Sequence, residues 1–337
     1  MFEGSKVLIT GGTGSLGQAL TKRLLEKNVK TVRILSRNED KQIQMESKFN
    51  DDRLRFLLGD IRDKERLIRA TDDIDYVFHA AALKHVPKIE YNPFEAINTN
   101  VLASQNVIDA CLVSKVKKAV CIGTDKAVSP LNTYGATKLL MEKLFVTANN
   151  YLDPLKHPTK FLAVRYGNVL GSSGSVIPKF IEQIQKKQKV TITDPQMTRF
   201  SLTMNEALDF ILKAMEVGQG SEIFVPKIKA YTISDVKHAL TEILGDYGDE
   251  VIGIRPGEKL HEILINSEEM RYSWEYEGLY MISNPLYPMF HPNVINDTYH
   301  GIKKFEKLKS YSSNSAEKIS PNELVGIIKN SNLLPNF

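Results

Sequence analysis

The sequence predicts an α/β protein with a doubly wound parallel sheet and a smaller C-terminal substrate-binding lobe. Two observations lead to this fold class. Short apolar runs alternate with segments of helical periodicity in the first half of the chain, and a glycine-rich loop follows the first apolar run. Near-continuous apolar strands are typical of parallel sheets covered by helices on both faces. Right-handed crossovers between such strands then wind the sheet outward in both directions.

Five apolar runs in the first half predict strands. They are 6–10, 31–36, 54–60, 75–81 and 117–124. The segments between them place apolar residues three and four positions apart, which predicts amphipathic helices. Such segments are 16–27, 63–71 and 92–114. This order of elements is that of repeated βαβ units.

The second half has a looser pattern. We predict helices over 134–150, 175–188, 205–215 and 233–244, and strands over 161–169, 190–194 and 222–227. After about Asn284 the chain is rich in Pro, Ser and Asn, and we assign no element there. The predicted division is a cofactor-binding domain at 1–170 to which chain returns near 196–228, a substrate lobe at 171–285 and a tail at 286–337.

Composition excludes several classes of function. The 337 residues have a net charge of +4 with both signs mixed along the chain, which argues against nucleic acid as the main partner. Cys111 and Cys121 lie in apolar runs without metal-type spacing, so we expect reduced packing residues and no metal site. No signal pattern and no run of 18 apolar residues is present. We therefore expect a cytoplasmic protein without a membrane span.

The loop after the first strand predicts a nucleotide site. Gly11, Gly14 and Gly17 lie between that strand and the first helix. Glycines at this place let a pyrophosphate approach bare backbone amides at a helix N-terminus, as in Rossmann folds. The residues expected to contact the cofactor here are Thr10, Gly11, Gly14, Ser15, Leu16 and Gly17.

The end of the second strand predicts which dinucleotide binds. An acidic residue would suit the ribose hydroxyls of NAD, but the sequence has Ser36 and Arg37. Because a guanidinium suits a ribose phosphate, we favour NADP. Further cofactor contacts are expected at Asp60 and Ile61, beside the adenine, and at the small residues Ala80, Ala81 and Ala82, which let the cofactor lie close.

A tyrosine and a lysine predict the redox centre. Tyr134 and Lys138 are four residues apart on a predicted helix, so both side chains project from one face. The lysine ammonium and an oxidised nicotinamide would favour the tyrosine phenolate, a base for a sugar hydroxyl. Thr124, at the end of its strand, can donate a hydrogen bond to the developing carbonyl oxygen.

At this point the sequence resembles a known family. The segments "TGGTGSLG", "HAAALKHVP" and "YGATK" look like those of an extended short-chain dehydrogenase/reductase acting on nucleotide sugars. The segments "GTDKAVSPLNTYGATK", "RYGNVLGSSGSVIP", "MTRFSLT" and "GIRPGEKLHE" resemble the inverting UDP-N-acetylglucosamine 4,6-dehydratases of the PseB type. The resemblance covers residues 1 to about 282. One departure is Gly123, where these relatives usually carry Ser.

The resemblance implies internal redox with loss of water. A tightly bound NADP, recycled in each turnover, oxidises the sugar at C4, and Tyr134 is the expected base. Elimination across C5 and C6 follows, with Lys126 as the C5 base and Asp125 as the acid at the 6-hydroxyl. We expect burial to lower the pKa of Lys126 and to raise that of Asp125, although an ion pair between them would oppose both shifts.

The substrate side is predicted from cationic and amide residues. Lys84 follows the fourth strand and is placed to reach the sugar or a phosphate. The resemblance puts Tyr166 beside the nicotinamide and Asn168 beside the sugar. Arg199 suits the pyrophosphate, because a guanidinium binds two phosphate oxygens. The expected contacts on the uridine side are Arg255 and Glu258, while we interpret Lys259 as a surface residue.

Several alternatives remain open from the sequence. A retaining 4,6-dehydratase and a C4 epimerase could act on the same nucleotide sugar, and the Asp125–Lys126 pair argues against the epimerase. A cofactor-sensing regulator on the same fold is a third, non-enzymatic reading, against which the intact Thr124, Tyr134 and Lys138 argue. We expect a homo-oligomer, a dimer or a hexamer, and a place in pseudaminic acid or related polysaccharide biosynthesis.

Overall fold

The computed structural model describes residues 1–150, 152–153, 156–171, 176–286, 295, 298–305, 309–330 and 334. The described helices are α1 Ser15–Glu26, α2 Glu39–Phe49, α3 Lys64–Thr71, α4 Val86–Tyr91, α5 Pro93–Ala96, α6 Ala103–Val113, α7 Thr133–Thr147, α8 Val176–Gln185, α9 Met204–Val217, α10 Ile233–Leu244 and α11 Pro321–Lys329. A π-helical segment, Ile97–Leu102, joins α5 to α6, and single 3-10 turns span Asp125–Ala127 and Glu269–Tyr272.

The strands form one large sheet and three small ones. They are β1 Lys6–Thr10, β2 Thr31–Ser36, β3 Leu54–Leu58, β4 Tyr76–His79, β5 Lys118–Ile122, β6 Lys160–Val164, β7 Asn168–Val169, β8 Val190–Ile192, β9 Thr198–Leu202, β10 Ile223–Pro226, β11 Ala230–Thr232, β12 Asp249–Val251, β13 Ile263–Ile265, β14 Ser273–Tyr276, β15 Leu279–Ile282, β16 Lys303–Lys304 and β17 Tyr311–Ser312. The large sheet has the order β16-β14-β15-β10-β6-β5-β4-β1-β2-β3. Its seven strands from β10 to β3 are parallel, and the other three are antiparallel. The predicted doubly wound sheet is confirmed.

The local sequence explains the parallel half of the sheet. In β1, β5 and β6 four consecutive residues are buried, as expected for strands covered on both faces. Two apolar clusters cover the two faces of the sheet, one around Val107, Phe145 and Phe161 and the other around Leu20, Phe78 and Phe224. These clusters hold the carboxyl ends of the parallel strands in one row, where ligands bind in open α/β sheets.

Helix α2 is the main element that the sequence did not predict. Only Gln42 and Met45 of its eleven residues are buried, so its apolar periodicity is weak. Asn38 begins the helix, because its side chain accepts a hydrogen bond of 2.8 Å from the Lys41 amide.

The strand predicted over 161–169 is wrong in its second half. Strand β6 ends at Val164, and the chain then leaves the large sheet to form β7, which pairs in parallel with β9. Gly167 lies at this departure. A Cβ atom there would lie 2.5 Å from the Cβ of Phe200, so only glycine allows the two segments to approach so closely. This turn carries Asn168 over the ends of the parallel strands.

The later part of the chain forms a smaller cluster and also returns to the sheet. Side chains of α8, α10 and α11 pack together around Phe180, Val236 and Leu324. Strands β14, β15 and β16 extend the large sheet, so elements also lie beyond Asn284, where none was assigned. The division into domains stays a prediction. Among the described residues, no helix has both the length and the apolar character needed to cross a bilayer.

Candidate active site

The glycine loop forms a narrow cradle at the start of α1. Gly11 has φ +68°, and a Cβ atom there would lie 2.8 Å from the Cα of Ala81. Gly17 is equally confined, because its Cβ would lie 2.4 Å from the Gly12 carbonyl oxygen. Gly14 and Ser15 are exposed at the helix start, and the Gly14 amide closes the loop by donating to the Gly11 carbonyl over 3.0 Å. The residues present therefore fit the pyrophosphate of a dinucleotide.

The floor of this cradle is held by buried hydroxyl and imidazole groups. Thr10 Oγ1 lies 2.8 Å from His79 Nδ1, and His79 Nε2 lies 3.0 Å from Ser104 Oγ. The Ala81 amide donates to Thr10 Oγ1 over 3.4 Å. Ala80 and Ala82, like Ala81, are partly buried, and Leu16 packs beside the cradle on the first turn of α1. The predicted loop and alanine segment therefore come together.

The second strand ends beside a pair of guanidinium groups. Arg37 Nη1 lies 3.5 Å from Asp60 Oδ2, and Arg62 Nη2 lies 2.7 Å from the same oxygen. Burial acts to raise the pKa of Asp60, but Arg62 and Arg37 outweigh it and lower that pKa. Ser36 accepts a hydrogen bond of 2.9 Å from Gln42, and Ile61 is buried. The sequence analysis did not single out Arg62, although it lies only two residues from Asp60.

The predicted acid and base lie in one short turn after β5. Thr124 Oγ1 donates to Asp125 Oδ1 over 2.9 Å, and Lys126 Nζ donates to the same oxygen over 3.0 Å. Asn168 Oδ1 also accepts from Lys126 Nζ, over 3.4 Å. Asp125 is buried, and its Oδ2 atom has no hydrogen-bond partner among the described residues. The two adjacent residues therefore pair with each other.

This pairing corrects the expected pKa of Lys126. Burial acts to lower that pKa, but the carboxylates of Asp125 and Glu262 outweigh burial and hold it above its ordinary value. The prediction of a lowered pKa was wrong because the ion pair with Asp125, reinforced by Glu262, outweighs burial. In this state Lys126 is an ammonium group, and it needs a proton acceptor before it can act as a base.

Tyr134 and Lys138 lie at the start of α7, against this turn. Asn132 begins α7, since its side chain accepts a hydrogen bond of 2.8 Å from the Gly135 amide. Burial raises the pKa of Tyr134, while the Lys126 charge and a hydrogen bond with Thr124 act to lower it. Burial lowers the pKa of Lys138 to about 8, and its ammonium group donates to the Ile122 carbonyl. The Lys126 charge therefore acts on the pKa of Tyr134 in addition to the expected effect of Lys138, which stays a prediction.

The substrate-side residues separate into two groups. Asn168 and Arg199 join the reaction centre, and Tyr166 is buried beside it, with its carbonyl accepting from the Asp125 amide over 3.1 Å. Arg255 lies on an exposed loop, 3.7 Å from Glu258.

The loop that carries Arg255 and Glu258 is attached to α7. Asn132 Nδ2 donates to the Gly257 carbonyl over 2.8 Å, which places the loop at the helix start. Lys84 lies in the exposed segment between β4 and α4. Lys84 and Arg255 are thus exposed, while Glu258 is partly buried with its Oε2 atom covered. Among the described residues, none of the three hydrogen-bonds with Asp125 or Lys126.

Three residues of this centre were missed. Glu262 Oε1 lies 3.8 Å from both Lys126 Nζ and Arg199 Nε, and burial and Asp125 raise the pKa of Glu262. The buried Tyr231 forms a hydrogen bond with Asn168. Lys259 was interpreted as a surface residue, but it is half-buried and donates to the Val128 carbonyl. Glu262 and Lys259 both lie in the segment "GIRPGEKLHE", from which only Arg255 and Glu258 were selected.

Comparisons with known proteins identify the family of this chain. A family model described as polysaccharide biosynthesis protein matches residues 7–284. A Campylobacter jejuni protein named UDP-N-acetylglucosamine 4,6-dehydratase (inverting) is 47% identical, over 97% of this chain and 98% of its own. A Rickettsia typhi protein named UDP-glucose 4-epimerase is 42% identical, over 96% and 95% of the two chains. The X-ray structure of Pen from Bacillus thuringiensis superposes with a TM-score of 0.90 at 39% identity, over 99% and 100%.

Proposed function

The chain belongs to the polysaccharide biosynthesis protein family, and from this membership we propose that it dehydrates UDP-N-acetylglucosamine. The proposed product is a UDP-4-keto-6-deoxy-N-acetylhexosamine with inverted configuration at C5. The observation that carries this proposal is the Asp125–Lys126 pair beside Tyr134, because elimination of water needs an acid and a base in addition to the redox tyrosine.

A bound nicotinamide cofactor supplies the hydride chemistry, in which C4 of the sugar is oxidised and C6 is later reduced. Tyr134 is the base for the 4-hydroxyl proton. The Thr124 hydroxyl donates to Asp125 Oδ1 in this structure, and we expect it to turn to the carbonyl oxygen that forms at C4 once the sugar is bound. The new ketone acidifies the C5 proton, so the next step is proton removal rather than a second redox step.

The short Asp125–Lys126 contact gives the elimination a balanced proton inventory. Transfer of one proton from Lys126 Nζ to Asp125 Oδ1, across 3.0 Å, produces a neutral amine and a carboxylic acid together. The amine then takes the C5 proton, and the acid gives its proton to the 6-hydroxyl, which leaves as water. The ammonium and the carboxylate are thereby restored. In this scheme the ion pair between Lys126 and Asp125 produces both the base and the acid, because one proton transfer between them forms the two.

A C4 epimerase is the second candidate, because a relative of 42% identity bears that name. An epimerase oxidises and reduces the same carbon, so it has no leaving hydroxyl to protonate. The cluster of Asp125, Lys126 and Glu262 would then have no role in the reaction. The free-energy cost of burying its charges would have no functional explanation. The dehydratase proposal accounts for these residues and the epimerase proposal does not.

We favour NADP as the cofactor on the basis of the two guanidinium groups near Asp60. Arg37 is about half exposed at the end of β2, and Arg62 forms an ion pair with the Asp60 carboxylate. A ribose phosphate would meet a cationic surface here, and Asp60 would be shielded from repelling it. Arg37→Ala should weaken NADP binding about tenfold with little change for NAD, as measured by fluorescence titration. An equal loss for both dinucleotides would contradict the assignment.

The central experiment follows the product of a lysine variant. Lys126→Ala should still oxidise C4, seen as transient absorbance of the reduced nicotinamide, but it should yield no dehydrated product. Lys186→Ala is the matched control, because Lys186 is exposed and forms an ion pair with Glu182. Proton NMR in heavy water identifies substrate, C5 exchange and C5 configuration together. Normal product formation by Lys126→Ala would exclude the proposed role of the lysine.

Other properties stay predictions. A dimer or hexamer, a cytoplasmic location and a first step in a pseudaminic acid route agree with the proposed activity, but the dehydration chemistry requires none of them.

A further inference from the structure

Glu262 is a buried carboxylate that the proposed elimination does not yet use. Glu262 is only 3% exposed, and its Oε1 atom lies 3.8 Å from Lys126 Nζ and 3.8 Å from Arg199 Nε. Its Oε2 atom is buried and has no hydrogen-bond partner in the described part of the chain. A buried carboxylate oxygen without a partner costs free energy, so its presence calls for an explanation in the chemistry of the site.

The main chain at Glu262 is fixed while its carboxylate is left open. The Glu262 amide donates to Ser313 Oγ over 2.9 Å, and the Ser313 amide donates to the Glu262 carbonyl over 2.8 Å. Ser313 Oγ in turn lies 2.7 Å from Thr198 Oγ1. These contacts tie Glu262 to β9 and to the segment before α11. These main-chain hydrogen bonds hold Glu262 in place, with its carboxylate next to Lys126 and Arg199.

Charged groups face Glu262 from three parts of the fold. Asp125 and Lys126 come from the turn after β5, Arg199 comes from β9, and Lys259 comes from the same loop as Glu262. Lys126 lies between two carboxylates, of which Asp125 is hydrogen-bonded to it and Glu262 is not. A movement of about 1 Å would bring Glu262 to hydrogen-bond distance from Lys126.

Inversion at C5 creates a need for such a group. After elimination the proton removed from C5 sits on Lys126, and returning it to the same face would restore the original configuration. Asp125 already accepts from Thr124 and Lys126, and it has just delivered its own proton to the departing water. Glu262 is the second carboxylate near Lys126. Like Asp125, it has one oxygen without a hydrogen-bond partner among the described residues, but unlike Asp125 it takes no part in the elimination itself.

We propose that Glu262 accepts the abstracted C5 proton from Lys126 and so prevents its return to the same face of the sugar. One N–H bond of the Lys126 ammonium breaks and one O–H bond forms on Glu262, leaving a neutral amine and a carboxylic acid. The C5 hydrogen of the product then comes from solvent water at the opposite face of the sugar. Afterwards Glu262 returns its proton to Lys126 and Tyr134 releases the 4-hydroxyl proton to solvent, which restores the starting protonation states. This inference rests on the proposed function, since it assigns Glu262 a part in the same dehydration.

The test follows the C5 hydrogen. UDP-N-acetylglucosamine carrying deuterium at C5 is incubated in ordinary water, and the product is analysed by mass spectrometry and NMR. The unaltered protein should release a product without deuterium at C5. Glu262→Gln should keep C4 oxidation, dehydrate about 10- to 100-fold more slowly, and give product that retains C5 deuterium and C5 configuration in part. Glu262→Asp should restore loss of the deuterium.

The controls separate this inference from the proposed function. Glu317→Gln, which changes an exposed carboxylate paired with Lys229 in the same part of the fold, should behave like the unaltered protein. Complete loss of deuterium by Glu262→Gln at a rate within about twofold of the unaltered protein would overturn the inference. So would loss of C4 oxidation in both Glu262 variants, or retention of C5 deuterium by the unaltered protein. Absence of any dehydrated product from the unaltered protein would instead refute the proposed function.

Discussion

Two buried charge clusters, one around Arg165 and one around Lys126, differ in their hydrogen bonding. Arg165 is completely buried and donates to Glu142, to Glu269 and to the Leu264 carbonyl, over 2.8 to 3.3 Å. All three guanidinium nitrogens have acceptors. This cluster joins α7 to β6 and to the segment after β13.

The cluster around Lys126 has the same ingredients and a different pattern. Lys126 and Arg199 face Asp125 and Glu262, but Asp125 Oδ2 and Glu262 Oε2 are buried without partners among the described residues. A buried ion network with every group paired fixes a structure, whereas unpaired oxygens leave room for a ligand or a moving proton. From this contrast we infer a structural role for the first cluster and a role in the proposed chemistry for the second.

The largest expected effect comes from breaking the paired cluster. Arg165→Met removes the cation and leaves Glu142 buried without its partner. Breaking a buried pair in this way costs about 3–5 kcal/mol, so the free energy of unfolding should fall by that amount. Urea or guanidinium denaturation measures it. A loss under about 1 kcal/mol would remove the distinction between the two clusters.

A smaller effect is expected where Gly123 backs onto the same cluster. A Cβ atom at position 123 would lie 2.3 Å from Glu142 Oε1 and 2.6 Å from the Val164 carbonyl oxygen. Gly123→Ala should therefore destabilise the protein by about 1–3 kcal/mol through overpacking. Gly326→Ala is the control, since nothing lies within 4 Å of the added Cβ in α11, and it should stabilise by up to about 1 kcal/mol. Equal effects in denaturation would contradict this account.

Elements with local sequence signals were predicted, whereas elements that depend on contacts distant in sequence were not. The parallel strands, the glycine loop and the helix with Tyr134 and Lys138 were predicted because their signals are local: apolar runs, glycine spacing and helical period. Helix α2 escaped because few of its residues are buried, and β7 escaped because Gly167 turns the chain away from the large sheet. Both misses reflect contacts that a short window does not contain.

The site was predicted less completely for the same reason. Asp125 and Lys126 were found as neighbours in sequence, but Glu262 and Arg199 reach them only through the fold. The pKa of Lys126 was predicted in the wrong direction, because the sequence does not show that Lys126 pairs with Asp125 and also faces Glu262. Gly123 was noted as a departure, and its reason, the Glu142 carboxylate behind it, depends on how α7 packs against β5 and β6.

The smallest effect on stability is expected from Asp125→Asn, which changes the unpaired cluster with almost no change in shape. The amide oxygen can still accept from Thr124 and Lys126, and one of two neighbouring negative charges disappears, because Asp125 acts to raise the pKa of Glu262. The free energy of unfolding should therefore change by less than about 1 kcal/mol in either direction. Dehydration should nevertheless fall by at least about 100-fold, since the acid at the 6-hydroxyl is lost. Thermal unfolding and a product assay measure the two quantities on the same preparation. If Asp125→Asn cost as much stability as Arg165→Met, the cluster around Lys126 would be a second structural network, and the open oxygens of Asp125 and Glu262 would need another explanation.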